Sequence, residues 1–573
     1  MKTPRPEYPN PQLERENWIN LNGEWDFEID NSKSGVERGI LNRPLASKIT
    51  VPFCPESKLS GIGNTDYMLS VFYRRTFKVK AGDTKDKRIF LHVGACDFET
   101  TVWINKTEVG RHVGGYTPFA FDITKYVVKG DNVIDIRADD DTLSRRQATG
   151  KQSLRYASHG CEYTRTTGIW QTVWLETVPE TYVKNFRIYP SVENKSVTVN
   201  FELSGKAPLS VKAYYEGKEV GKASLSSAEY TATLTLKLSE KHLWELGHGR
   251  LYDLEIVFGD DKVKSYFGLR SVSLDKAFRL NGKPVFQRLV LDQGFYPDGI
   301  YTAKNDAELC RDIELSMAVG FNGARLHQKV FEPRFLYHCD RLGYMVWGEY
   351  PNWGLGHSDP SCLETFVPEW LEELGRDFNH PSIIGWCPFN ETWNYPPHYA
   401  TQISEVLKIA YEVTKAVDPT RPCIDTSGNY HVKTDIYDTH DYEQNVETYK
   451  ERYKKLNDEG ELFDKYHERQ HWRGEPLFIS EYGGIGIHIA EKTETAWCYG
   501  NAAKSYEEFY ERYKGLTDAL LDCKYLIGFC YTQLYDVEQE KNGLFTYERE
   551  PKFDCDKLKK INSRKAAIEK IEK

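Results

Sequence analysis

Residues 466 to 484, YHERQHWRGEPLFISEYGG, carry two glutamates suited to different chemistries. His467, Glu468 and His471 spell H-E-x-x-H, in which two histidines on one helical face hold zinc and the glutamate acts as base. Glu481 closes the apolar run PLFIS just ahead of YGG, as if a buried strand delivered one carboxylate to a loop. Glu391 stands in the same relation to the run SIIGWCPF. Two carboxyls held about 5 to 5.5 Å apart can share a displacement at an acetal carbon, one attacking the carbon while the other gives and takes the proton at the leaving oxygen. A lone glutamate at a strand end is ordinarily a solvated loop charge. Two at matching register, each flanked by aromatics, read as a site.

The elements that must position them fall into three stretches. Residues 1–180 give short alternating runs separated by turns (GEWDFEI, YRRTFKV, RIFLHVG, TTVWINKTEVG, NVIDIRA), the pattern of an all-β sandwich. Residues 181–270 repeat it on a smaller scale, with Val197, Val199, Phe201 and Leu203 on one face and Leu234, Leu236 and Leu238 on another. From 271 to 573 the rhythm becomes strand and helix in alternation. It includes a helix over DAELCRDIELSMAVG, with Asn305 as N-cap and Gly320 as its stop. The expected strands are PVFQRLVL, FNGARL, YMVWGEY, SIIGWCPF, PCIDTS, DIYDTH, PLFISEY and LIGFCYT, eight in all, which fits a (β/α)8 TIM barrel with its site at the carboxyl ends of the strands. Glu391 follows the fourth strand and Glu481 ends the seventh, so both face that end. The H-E-x-x-H segment is stopped by RGEP and should precede the amino end of strand seven, away from the mouth. No metal is expected.

Net charge is -10 with no basic block, which argues against nucleic-acid and membrane partners. The N-terminus has no apolar leader and no run is long enough to span a bilayer, so a cytoplasmic location is expected. Twelve cysteines are scattered singly through apolar runs and read as reduced, buried thiols.

NE at 390–391, ISEYGG from 479, TTGIWQTVWLE from 166 and FNGARLH from 321 together resemble glycoside hydrolase family two, the family of β-galactosidases, β-glucuronidases and β-mannosidases. The resemblance spans essentially the whole chain. It implies a jelly-roll sugar-binding domain, an immunoglobulin-like β-sandwich and a catalytic barrel acting as a retaining exo-β-glycosidase without a cofactor, and it admits a homo-oligomer. Glu391 is similar to the family's acid/base and Glu481 to its nucleophile. Asn390 resembles the residue that binds the sugar 2-hydroxyl, and Arg325 the arginine that braces the nucleophile. His440 and Tyr442 fall where the family places a tyrosine beside the nucleophile. Glu162 falls where an acidic jelly-roll residue enters the barrel pocket. Trp353 and Trp393 lie in loops at the mouth, where either could stack on a sugar or belong to the core.

Departures from the family bear on the substrate. Gln328 replaces a galactosidase histidine, with His327 one place early. Asp292 and Gln293 replace a histidine-rich pattern after strand one. Gln533, Asp536 and Glu538 stand where a tryptophan-rich strand end is usual, and EKN at 540–542 replaces the N-x-K that binds a uronic carboxylate. Glu349 resembles one ligand of a magnesium-type site, but Pro351 follows where another is needed. The expected substrate is therefore a neutral β-hexoside, β-galactoside first. A β-glucuronide or β-galacturonide is the alternative, requiring a cation from Lys541, Arg325 or a neighbouring loop. A carbohydrate-binding protein without activity should lack one carboxylate, and both are present.

Overall fold

In Gly23–Ile29, Trp25 and Phe27 turn inward between polar neighbours, and this period-two pattern builds the first layer. The computed structural model describes residues 3–80, 82–392, 402–487 and 496–570. An antiparallel six-stranded sheet runs in the order Ser47–Val51, Gly23–Ile29, Ser70–Val79, Gly130–Asp139, Glu99–Ile104, Thr107–Val113. It faces a four-stranded sheet of Trp18–Asn20, Val173–Pro179, Lys87–Val93 and Phe119–Asp122. Val71, Tyr73, Leu91, Val93 and Ile136 fill the space between the two sheets.

The middle stretch is built on two twenty-residue strands, Ser196–Tyr215 and Lys218–Lys237. Register shifts after Glu202 and Ala207 let the two halves of the first strand pair with different neighbours, Val183–Ser191 and Leu251–Phe258. Val197, Val199, Phe201 and Leu203 all face the resulting core. Arg15 links this sandwich to the first one, pairing with Glu176 at 3.0 Å and Asp261 at 2.8 Å, all three buried.

The C-terminal stretch is a parallel barrel. Its first strand is Gln287–Asp292, its second Gly323–Leu326, its third Met345–Glu349 and its fourth Ile383–Cys387. The sixth is Tyr437–Asp441, the seventh Leu477–Gly483 and the eighth Leu526–Thr532. They pair in the order four, three, two, one, eight, seven, six. The expected fifth strand, residues 422–427, touches the fourth only through single bridges, Trp386 with Cys423 and Asn390 with Ser427. Side chains replace its ladder: Asp425 accepts from the N–H of Val432 at 2.7 Å and of Lys433 at 3.0 Å, and the Cys423 N–H donates to Asp435. The first barrel helix is Asp306–Ala318, with the Asn305 side chain accepting the Glu308 N–H and Leu309 and Ile313 buried. Among the described residues no helix is long and apolar enough to cross a membrane.

One loop of the first sandwich reaches the barrel mouth. Thr149 N–H donates to the Trp353 carbonyl at 2.7 Å, Gly150 N–H to that of Pro351 at 3.1 Å, and Gly356 N–H to that of Arg145 at 2.8 Å. Gly150 has φ +56°, and a Cβ there would lie 2.2 Å from the Gln328 carbonyl oxygen, so only glycine lets the loop sit this close. The next residue is Lys151.

Candidate active site

Glu391 lies four residues beyond the fourth strand, in a left-handed conformation at φ 47°, its N–H held by the Ser427 carbonyl at 2.8 Å. Glu481 sits inside the seventh strand. Both are buried, at 8% and 2% exposure. One oxygen of each carboxylate and one ring nitrogen of His440 lie within 4.8 Å of one another. A spacing this short is compatible with the roughly 5–5.5 Å between carboxyl groups that a double displacement uses.

Arg325 organises one side. Its Nη1 donates to Glu481 Oε1 at 3.2 Å and to the Ser480 carbonyl at 2.9 Å, and its Nη2 donates to Asn390 Oδ1 at 2.8 Å. Glu349 accepts from Arg325 Nε at 2.8 Å and lies 2.9 Å from His327 Nδ1. Burial would raise the Glu349 carboxyl, but Arg325 and His327 hold it at about 2. Tyr442 donates to Glu481 Oε2 at 2.5 Å and stacks flat on Tyr499, with centroids 3.7 Å apart. Asn390 has its Oδ1 on Arg325, and among the described residues its buried Nδ2 has no partner.

The two carboxylates do not share one environment. Burial pushes the Glu391 carboxyl up to about 7, against the opposing pull of Lys151, Arg325 and Lys465. Lys151 is the sandwich's contribution. It is 4% exposed, its Nζ 4.0 Å from the centre of the Trp353 ring, and among the described residues it forms no ion pair. Burial alone would lower its pKa, but Cys161, Glu540, Glu391 and Glu481 around it outweigh that and keep the ammonium charged.

Three family signatures fall on this framework. Residues 64–179 match "Glycosyl hydrolases family 2, sugar binding domain", residues 181–270 "Glycosyl hydrolases family 2", and residues 275–566, more than half the chain, "Glycosyl hydrolases family 2, TIM barrel domain". The chain belongs to glycosyl hydrolases family 2. Being a family 2 hydrolase, it is a β-glycosidase. It is similar to β-glucuronidase of Sus scrofa, at 25% identity over 95% of this chain and 90% of that protein. It is also similar to β-galactosidase of Thermoanaerobacter pseudethanolicus, at 26% identity over 74% of this chain and 56% of that one. A solved β-glucuronidase from an uncultured Clostridium sp. shares its fold, with TM-score 0.78 and 23% identity over 96% of this chain and 99% of that one.

Of the residues expected at the site of this family 2 hydrolase, the structure brings Glu391, Glu481, Asn390, Arg325, His440 and Tyr442 together, and places Trp353 against the docked loop under Lys151. Others go elsewhere. Glu162 is not among the groups gathered around Glu391 and Glu481: a tight turn pairs His159 with Glu162 through reciprocal backbone hydrogen bonds, Tyr163 is buried, and the half-buried Glu162 carboxylate lies 3.7 Å from His159 Nε2. Its carboxylate accepts from the Leu154 N–H at 3.3 Å. Asp292 is also corrected. It takes the Tyr535 hydroxyl at 2.5 Å and the Gly294 N–H at 2.9 Å, tying together the loops after strands one and eight, and both of these hydrogen bonds fall on one oxygen, Oδ1. Gln533 is fully buried against Gln293 Nε2 at 2.7 Å. Trp393 lies outside the described residues.

Beyond the eighth strand, Asp536 holds the Gly543 N–H and the Lys552 ammonium, and Glu538 accepts from the Thr164 N–H. Glu540 faces inward, accepting from the Tyr163 hydroxyl and from Asn542. Gln328 is scaffolding, bound to Asn352 Oδ1 at 2.7 Å and to the Trp353 N–H at 3.0 Å.

The H-E-x-x-H segment forms no helix. Residues 465–469 are a turn, His467, Glu468 and His471 are exposed, and the two histidines have no shared face on which to hold an ion. Its expected position is also corrected: Lys465 Nζ donates to the His440 carbonyl at 2.6 Å, which brings this turn up to the mouth. Glu391, His440 and Glu481 have a spacing that would admit a cation, but hydrogen bonds already engage all three. Glu349 is likewise committed to Arg325 and His327. No metal is assigned.

Sequence reasoning did not single out Lys151, which the structure buries over the Trp353 ring. Its only local signal is the TG ahead of it, which marks a turn.

Proposed function

We propose that the chain is a retaining exo-β-glycosidase acting on β-uronides, with Glu481 as nucleophile and Glu391 as acid/base. Glu481 attacks the anomeric carbon while Glu391 gives its proton to the leaving oxygen. The Glu391 carboxylate then takes a proton from water, and that water's oxygen displaces Glu481 with a second inversion. A carboxyl at about 7 suits both duties near neutral pH. The free Asn390 Nδ2 is placed to donate to a sugar hydroxyl.

The observation that carries the choice of sugar is Lys151, a buried ammonium over the Trp353 ring whose charge Cys161, Glu540, Glu391 and Glu481 support and which forms no ion pair among the described residues. A uronic carboxylate left unpaired in a partly dry site costs several kcal/mol, and an ammonium already in place removes most of that penalty. Relatives named as β-glucuronidases support the same reading. A neutral β-hexoside, β-galactoside first, is the second reading. It is favoured by Glu540, whose inward carboxyl would meet a uronate where an amide was expected.

The test is kcat/KM on nitrophenyl β-glucuronide and β-galactoside at one pH, for the wild type and Lys151→Met. The glucuronide is expected to be faster by at least about tenfold, and Lys151→Met to lower that rate by about a hundredfold while sparing the galactoside. A galactoside faster by the same margin overturns the uronide assignment and leaves the double displacement standing.

A further inference from the structure

We infer that His440 is a positioning residue that keeps a proton on Glu391, and that a buried chain through Ser427, Asp438, His431 and Asp425 sets its tautomer; this rests on the acid/base reading of Glu391. His440 Nδ1 stands 2.6 Å from Glu391 Oε1, and its Nε2 stands 3.0 Å from Ser427 Oγ. The ring is pressed against Gly428, whose φ is +73° and where a Cβ would lie 2.3 Å from the imidazole. No other residue type leaves room for the ring in this place.

The proton positions follow from counting donors. His431 lies between two buried aspartates, Nδ1 2.7 Å from Asp425 Oδ1 and Nε2 3.0 Å from Asp438 Oδ1. Burial would raise the Asp438 carboxyl, but His431 and the Ser480 hydroxyl outweigh that, and the Gly428 N–H also donates to its Oδ2 at 3.2 Å, so Asp438 stays ionised. An ionised carboxylate has no hydrogen to give. Ser427 Oγ, 2.8 Å from Asp438 Oδ2, must therefore donate to it, and can only accept from His440. The His440 hydrogen is then on Nε2. Burial holds His440 down at about 4, so the ring is neutral and Nδ1 is bare. A bare nitrogen 2.6 Å from a carboxylate oxygen is repulsive unless that oxygen carries the proton, and then it is a short hydrogen bond.

This arrangement works in both half-reactions. In the first, the proton leaves its hydrogen bond to Nδ1 and moves from Glu391 to the leaving oxygen, which also keeps the electron pair of the broken C–O bond, while Glu481 forms the new bond to carbon. Glu391 is left as a carboxylate facing a lone pair. That repulsion makes it a stronger base, and it is relieved when Glu391 takes a proton from the attacking water.

Other groups bear on the same titration. Lys151 from the sandwich loop, Arg325 from the second strand and Lys465 from the turn before the seventh strand favour the ionised form, while Glu349 opposes it. His440 itself faces Glu481, with Nδ1 3.4 Å from Oε2, besides Arg325, Asp438 and Lys465. None of these lies within hydrogen-bond distance of Glu391 in place of His440, so replacing the ring should move the titration against an unchanged background.

The basic limb of kcat/KM against pH reads the Glu391 proton in the free enzyme. In His440→Asn an amide donor replaces the bare nitrogen, and the limb should fall by about one pH unit. In Asp438→Asn the Ser427 hydroxyl is free to donate to Nε2, the hydrogen moves to Nδ1, and the limb should fall likewise. Should that variant not fold, Ser427→Ala tests the same link. In the wild type, 15N spectra of the histidine side chains, with His440 assigned by its loss in His440→Asn, should show hydrogen on Nε2. Hydrogen on Nδ1, or a limb in folded His440→Asn that stays put or rises, overturns the inference. Glu391→Gln separates it from the reading beneath it: if the basic limb survives in that variant, Glu391 is not the acid/base. If the limb vanishes there yet does not move in His440→Asn, only the role of His440 is wrong.

Discussion

In the proposed double displacement Glu391 is asked to be an acid and then a base in one turnover, and its surroundings place its proton affinity between the two demands. Burial sets the level at about 7 and three cations restrain it from going higher. Glu391→Ala should lose about 10²- to 10⁴-fold in rate on a substrate with a poor leaving group and far less on an activated aryl glycoside. Steady-state rates on the two substrate types would check this. The same burial has a cost in stability. A carboxyl lifted from 4.5 to about 7 binds its proton more tightly folded than unfolded, so its contribution is fully present below pH 4.5 and is lost as pH rises through 7. Glu391→Gln should therefore melt above the wild type at pH 8 and together with it at pH 4, as calorimetry would show. That Glu391 and Glu481 would meet was legible in the sequence because each follows an apolar run that had to be a strand, and a strand's direction fixes which end its loop joins. Arg325 and Tyr442 were legible for the same reason. Lys151 was not, because no periodicity within one domain shows where its loop docks on another.

At the level of elements, the barrel was readable from alternation alone, except where side chains took over backbone duties. Residues 422–427 have the composition of a strand, yet Asp425, Ser427 and their partners leave only two bridges to the fourth strand. The H-E-x-x-H pattern misled about position because a turn needs no periodicity, and Lys465 draws that turn to the mouth. The docked loop offers a sharp test. Alanine at Gly150 would be strained at φ +56° and would collide with a carbonyl oxygen, at a cost of about 1–3 kcal/mol, so the loop should shift and withdraw Lys151. Because Lys151 favours the ionised form of Glu391, the basic limb of the pH profile should then rise above that of the wild type, opposite to the fall expected for His440→Asn. Activity on the preferred substrate should drop by at least about tenfold. An unmoved limb in a folded Gly150→Ala enzyme would show that the loop does not govern the site.

Across the whole molecule, the order of the three layers was visible in the change from period-two runs to alternating strands and helices. The contacts that fasten the layers were not, since a buried ion pair has no local signature. Arg15 is the clearest fastening, shared between Glu176 of the first sandwich and Asp261 of the second. Arg15→Ala would leave two carboxylates buried without a partner and should destabilise the protein by about 3–5 kcal/mol, seen as an earlier or split calorimetric transition. The loop that carries Lys151 has a consequence on a longer timescale. The carboxylates proposed to break the glycosidic bond belong to the barrel, while the cation proposed to choose the sugar belongs to a buried loop of a different domain, whose contacts with the barrel run largely through backbone atoms. Away from Gly150, backbone contacts tolerate changes of side chain. On this proposal, substitutions at those positions can alter the choice of sugar while the two barrel carboxylates are inherited intact, so that a change of substrate need not pass through an inactive ancestor.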